Sequence, residues 1–205
     1  MSGAKKGSEM PIINRKISWL SFNERVLQEA ADFRNPLIER FRFLGIFSNN
    51  MDEFYRVRVA SIRRMKVVSS KAIDAIGVDP KNLLKDIQKI VSSHQKKFEV
   101  IYQNLKKECE KEDIYIVNET EISASQAEMI ASYFENEVRP VLIPLMLDKK
   151  RTMPALKDKG IYLGIKLSNK EGADTLYSLL EIPTDTVSRF FVFPKDESGR
   201  TSIIL

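Results

Sequence analysis

The chain has one cysteine, one histidine and only eight glycines, and each scarcity removes a class of chemistry. A lone cysteine, Cys109, cannot build an internal disulfide framework and suits a reducing cytoplasm. A lone histidine, His94, excludes a paired-histidine zinc site and the HExxH motif, and leaves a hydrolase triad only through that residue. The glycines never fall into GxxxxGKS/T or GxGxxG, so neither common phosphate-cradling loop is present. Gly160 and Gly164 flank a strand-like run and suit bends or close packing. No apolar run approaches the roughly 18–20 residues that span a bilayer. The opening "MSGAKKGSEM" lacks the apolar segment of a signal peptide, so residues 1–11 are expected to form a flexible tail. Repeats and low-complexity tracts are absent. No catalytic constellation and no metal-ligand set is expected within the chain.

What remains is an ordinary globular composition. Of 205 residues, 43% are apolar, enough for a real core, and 30% are charged. Lysine and arginine outnumber acids 33 to 28, a net charge of +5. That balance suits an anionic ligand but is too diffuse for a dedicated nucleic-acid binder, so no nucleic acid is expected as partner.

The first half reads as helical. In "SWLSFNERVLQEAADF", Ser21 and Glu24 have capping-box spacing at a helix start. Pro36 restricts Asn35, which predicts a turn before a second helix over about 37–48, apolar nearly all round and therefore buried. A third helix is expected over about 51–65. Asp79 as N-cap and Pro80 as first helical residue then open a long fourth helix, with Leu83, Ile87, Val91, Phe98 and Leu105 on one face. Four helices with short connections predict an antiparallel bundle over 12–112. His94 and Cys109 fall on the fourth helix's apolar face, where a packed core histidine and a small buried thiol are the readings favoured.

Beyond residue 112 the pattern changes. "IYIVNE" alternates like a strand, and "SASQAEMIASYFENEV" resembles a capped amphipathic helix. "GIYLGIKL", "TLYSLLEIP" and "RFFVFP" are β-branched and aromatic runs between turn residues. The fold class is thus α+β: a helical bundle over 12–112, then over 113–205 the first part of a domain built on an antiparallel sheet. The apolar ending "TSIIL" suggests a strand cut from a longer protein.

The stretch "SNNMDE" admits two roles. Ser48 or Asn49 could close the second helix while Asn50 caps the third, with Glu53 at the capping-box position and Asp52 near the positive helix end. Helix mechanics favour that cap. The alternative is that the Asn50 carboxamide, with donors and an acceptor, reads a nucleobase edge. Seven basic residues against three acidic ones lie between Pro36 and Lys66. At about 100° per residue, Arg56 and Arg63 share a polar face with Asp52, which marks a solvated or ion-paired surface. Arg58 projects instead among Phe54, Tyr55, Val59, Ile62 and Met65, where a charge needs a partner: a carboxylate in the bundle, or an anion entering a cleft.

These residues also carry a resemblance. "INRKISWLSFNERVLQEAAD" and "PLIERFRFLGIFSNNMDEFYRVRVASIRR" resemble the N-terminal helical domain of polyphosphate kinases of the long-chain, polyphosphate-synthesising type. "VLIPLMLD", "YLGIKL" and "YSLLEIPTDTVSRFFVFP" are similar to the opening of that family's second domain, so the likeness spans about Ile12 to Pro194. It implies reversible transfer of the terminal phosphate of ATP to polyphosphate, with ATP and polyphosphate as partners. It also implies a phosphohistidine and magnesium on later domains, outside this segment, which alone is expected to be inactive. His94 does not match the family's catalytic histidine. Asn50 corresponds to the family's ATP-binding asparagine on the adenine side, which reverses the weight given to its capping role; Arg58 is a possible anion contact without an assigned role. A homo-oligomer, docking to later domains of the same chain and a cytoplasmic, membrane-peripheral location are further implications. Two other readings stand beside it: a non-catalytic anion- or nucleotide-binding helical module, and a structural interaction domain.

Overall fold

The computed structural model describes residues 14–65, 79–147, 153–168 and 175–205. The tail expected over 1–11 and the softer stretch before Asp79 lie outside the described residues. The chain divides into two compact units, Met1–Glu112 and Asp113–Leu205.

Helix α1 (Arg15–Ala31) begins six residues before the expected capping box. Asn14 is the cap, its side chain accepting from the Lys16 amide. Ser21 lies inside the helix and turns its hydroxyl back to the Ile17 carbonyl at 3.4 Å. Leu20, Asn23, Leu27 and Ala30 form its buried stripe. In the turn that follows, the Arg34 guanidinium beside Asp32 holds that carboxyl down at about 2, and Asn35 donates to the Glu29 carbonyl at 2.9 Å.

Helix α2 (Leu37–Glu53) starts after Pro36, as expected, but does not stop at the asparagines. It continues through a π-helical turn, Phe54–Val59, into α3 (Ala60–Met65). The expected helix junction at Asn49 and Asn50, and the Asn50 cap with it, are therefore absent. The irregularity lies four residues later. One extra residue in the π turn brings Phe54 and Val59, five positions apart, both into the core, at 1% and 3% exposure. Nor is α2 buried all round: Arg42, Gly45, Ile46, Ser48 and Asn49 face solvent.

Helix α4 (Pro80–Glu110) opens as its sequence predicts, with the Asp79 side chain accepting from Lys81 N. Two clusters order the bundle. Leu20 meets Phe54, Val59, Ile62, Leu83, Ile87 and Val91, while Leu27 and Ala30 meet Leu44, Phe47 and Leu105. Helix α1 thus runs antiparallel to α2 and parallel to α4. The described residues form three long helices rather than four, because the second and third are one.

The second unit contains β1 (Ile114–Ile116), α5 (Ala124–Tyr133), β2 (Pro144–Leu147), β3 (Tyr162–Ser168), β4 (Thr175–Glu181), β5 (Phe191–Val192) and β6 (Thr201–Ile204). The Ser123–Gln126 capping box opens α5. The strands form two three-stranded sheets, ordered β2-β4-β3 and β1-β6-β5. The first is antiparallel throughout; in the second β1 lies parallel to β6, where an antiparallel sheet was expected. Gly160 is close-packed, since a Cβ there would stand 2.6 Å from the Tyr162 ring, whereas Gly164 has open space.

Candidate nucleotide-facing seam of the helical unit

The α1–α2 seam is built from residues spaced four apart. On α2 and its π turn these are Asn50, Phe54 and Arg58; on α1 they are Trp19 and Asn23. Trp19 stacks on Phe54 with ring centroids 4.8 Å apart and planes 13° from parallel. The Arg58 guanidinium carbon sits 5.4 Å from the Trp19 ring centroid. Of the two expectations for Arg58, a carboxylate in the bundle or an anion entering a cleft, the first finds no carboxylate partner among the described residues; its neighbour there is the indole face. A guanidinium lying over a ring keeps its in-plane N–H groups directed outward, where an anion can be bound.

One turn along α1, Asn23 is fully buried and accepts a hydrogen bond from Asn50 Nδ2 at 2.8 Å. Asn23 Nδ2 approaches the Phe47 carbonyl at 3.5 Å, a long contact. This cross-helix partner explains why the asparagine pair does not end the helix: Asn50 has no need to turn its amide onto its own backbone. Asn50 is half-buried and Asn49 exposed, so the pair marks a rim of the seam. The sequence reading missed Asn23 and Trp19. The signal for Asn23 was the stripe Leu20-Asn23-Leu27-Ala30, in which an amide occupies a core position.

The other candidates resolve as structural groups. Arg56 pairs with Asp52 at 2.8 Å, the surface ion pair its spacing implied. Arg40, one of the seven basic residues, is buried; its Nε donates to the Ala30 carbonyl at 2.9 Å and its guanidinium meets Glu108 at 2.6 Å, joining three helices. His94 is buried with Nε2 3.4 Å from Glu24 and packs edge-on against Phe47. Burial pushes the His94 pKa down, opposed by Glu24, and its Nδ1 finds no hydrogen-bond partner among the described residues. Glu24 is itself held below the ordinary carboxylate value, chiefly by its hydrogen bond with Lys97. Burial and the neighbouring Glu108 and Glu110 push the Cys109 thiol up, which disfavours the nucleophilic thiolate. Three cavities, of about 440, 420 and 470 Å³, are lined by residues other than Asn50 and Arg58. Among the described residues no three His, Cys, Asp or Glu side chains converge. No helix among them is long and apolar enough to cross a membrane.

Two family models match the chain: the polyphosphate kinase N-terminal domain over residues 12–117, which contains the whole seam, and the polyphosphate kinase middle domain over residues 125–205. The chain belongs to the polyphosphate kinase family. It is 42% identical over 195 residues to the polyphosphate kinase of Vibrio vulnificus (strain YJ016), covering 94% of this chain and 27% of that protein. To the polyphosphate kinase of Escherichia coli (strain K12) it is 40% identical over 196 residues, with 95% and 28% covered. Its fold is similar to the crystal structure of polyphosphate kinase from Porphyromonas gingivalis, with a TM-score of 0.76 and 28% identity over 97% of this chain and 29% of that one. The chain therefore spans little more than a quarter of the length of the polyphosphate kinases it matches.

Proposed function

We propose that this chain supplies the adenine-facing part of a polyphosphate kinase, an enzyme that transfers the terminal phosphate of ATP reversibly to polyphosphate. In this reading residues 12–112 are the helical N-terminal domain and 113–205 open the next, while the phosphoryl-accepting histidine and the magnesium ligands belong to later parts of the polypeptide. The observation that carries it is the state of Asn50. Its carboxamide stands at a half-buried helix seam with one donor held by Asn23 and its oxygen turned away from that bond. Together with the family match, this makes it the side chain best equipped to meet a purine edge. Arg58, held over the Trp19 ring, would meet a phosphate or other anion from the same seam.

The test is steady-state kinetics of the full-length kinase carrying Asn50→Ala, with KM for ATP, kcat and Tm recorded together. KM for ATP is expected to rise several-fold. Stability should fall by only about 1–2 kcal/mol, because an unpaired Asn23 is partly offset by alanine's better helix propensity. An unchanged KM would remove Asn50 from the nucleotide site.

A specific observation favours a second role for the sheet unit. Cross-strand partners share a face, and Leu163 with Leu180 and Leu167 with Leu176 therefore lie on one side of the β2-β4-β3 sheet, beside Met146. Met146, Leu163, Leu167 and Leu176 are 45–54% exposed. We propose that this face docks later segments of the same polypeptide, since the matched kinases are more than three times as long as this chain.

A further inference from the structure

We infer that Asn23 is the positioning residue that sets which way the Asn50 carboxamide faces, and so makes the seam select a purine amino group over an oxo group. The inference rests on the reading of Asn50 as a base contact and adds the residue that gives that contact its polarity.

The argument is one of direction. The polar atoms form a relay, Phe47 carbonyl, Asn23, Asn50, joined at 3.5 Å and 2.8 Å. An asparagine side chain can be turned over, exchanging its oxygen and nitrogen, but a backbone carbonyl can only accept. Asn23 is fully buried, so no water is at hand to satisfy a reversed amide. The Phe47 carbonyl therefore holds Nδ2 of Asn23 toward itself and leaves Oδ1 toward Asn50. That oxygen demands a donor, which among the described residues only Nδ2 of Asn50 supplies. Turning Asn50 over would set two oxygens against each other with no proton between them. Consequently Asn50 presents its Oδ1, with one N–H beside it, away from Asn23.

A fixed acceptor beside a fixed donor complements a ring edge that offers an amino group next to an unprotonated ring nitrogen, as N6 and N1 of adenine do. Hypoxanthine and guanine place a carbonyl oxygen where adenine has its amino group and a protonated N1 where adenine has a bare one, so Oδ1 of Asn50 would face an oxygen and its N–H another N–H. With Asn23 unable to accept, Asn50 is free to reverse and serve either base.

The experiment uses the full-length kinase and compares kcat/KM for ATP and for inosine triphosphate, which differs by replacement of the amino group with an oxo group. The unsubstituted enzyme is expected to prefer ATP by about tenfold or more, in the range of a two-point asparagine–adenine pair. Asn23→Leu should collapse that ratio toward unity, the change falling on the two KM values in opposite directions. Asn23→Asp, which as a buried protonated acid can donate to Phe47 and accept from Asn50, should retain the preference. If Asn23→Leu fails to fold, Asn23→Ala, assayed at reduced temperature, releases Asn50 in the same way and is read by the same ratio. A lower Tm with the ratio unchanged, while Asn50→Ala does reduce it, would leave Asn23 a packing residue and overturn the inference alone. If Asn50→Ala alters neither KM, the base contact itself fails and the inference falls with it.

Discussion

In the helical unit Leu20, Phe54, Ile62, Ile87 and Leu105 are each 0–1% exposed, whereas in the sheet unit the buried apolar side chains among the described residues are Phe193 and Ile204. The contrast follows from geometry. Three helices packed along their length enclose a stripe from every side. Two small sheets cover one another's faces only where a second layer exists, and the apolar face carrying Leu163, Leu167 and Leu176 has little over it. A unit that closes its own core can hold a few polar groups in fixed directions. A unit with open apolar faces leaves them available for contact.

The comparison can be broken most sharply in the bundle. Phe54→Ala should destabilise the helical unit by about 3–5 kcal/mol, the range for a fully buried aromatic, and release the stacked Trp19. Leu176→Ala on the open sheet face should cost under about 1 kcal/mol, in line with exposed positions generally. Chemical denaturation of the two variants would measure both. Comparable losses would show that the sheet face is covered after all.

Arg40 tests whether the bundle depends on buried polarity as well as apolar packing. Arg40→Leu removes the donor to the Ala30 carbonyl and the partner of Glu108. The carboxylate is 37% exposed and can reach water, so the expected loss is about 2 kcal/mol. A variant as stable as the parent would make this ion pair dispensable.

The smallest effect is a pH dependence. The folded pKa of His94 lies below its ordinary 6.5 because burial disfavours the charged ring. The unfolded chain therefore binds the proton first as pH falls, and stability should decline below about pH 6.5 toward the lowered folded value. Glu24, also lowered, adds to the decline further down, below its ordinary 4.5. Tm measured from pH 7 to 5 should fall less in His94→Leu than in the parent. Parallel curves would show that His94 is not the group responsible.

Several local signals, whose two partners lie within a turn, were legible. Asp79 capping Lys81 N ahead of Pro80 and Asp52 with Arg56 appear in the structure as their spacing implied, and the capped helix expected from "SASQAEMIASYFENEV" is there. Ser21 with Glu24 carried the same kind of signal and was misleading, because Asn14 had already started the helix and Glu24 turns to Lys97 and His94 on another element. Register between strands was equally hidden: the parallel pairing of Ile114–Ile116 with Thr201–Ile203 joins segments separated by most of the second unit.

The sequence by itself determined the helical first half, the change of character after residue 112, the burial of His94 and Cys109, and the family. Each rests on periodicity, on neighbours a few positions apart or on long matching blocks. Only the tertiary structure decided the surroundings of "SNN". Asparagine in isolation favours helix ends, since its side chain competes for nearby backbone. Here Asn23, 27 positions earlier, supplies the partner instead, and burial of Phe47 and Phe54 on either side holds the helix through. A polar side chain follows the nearest unsatisfied group in space, and that group is chosen by packing.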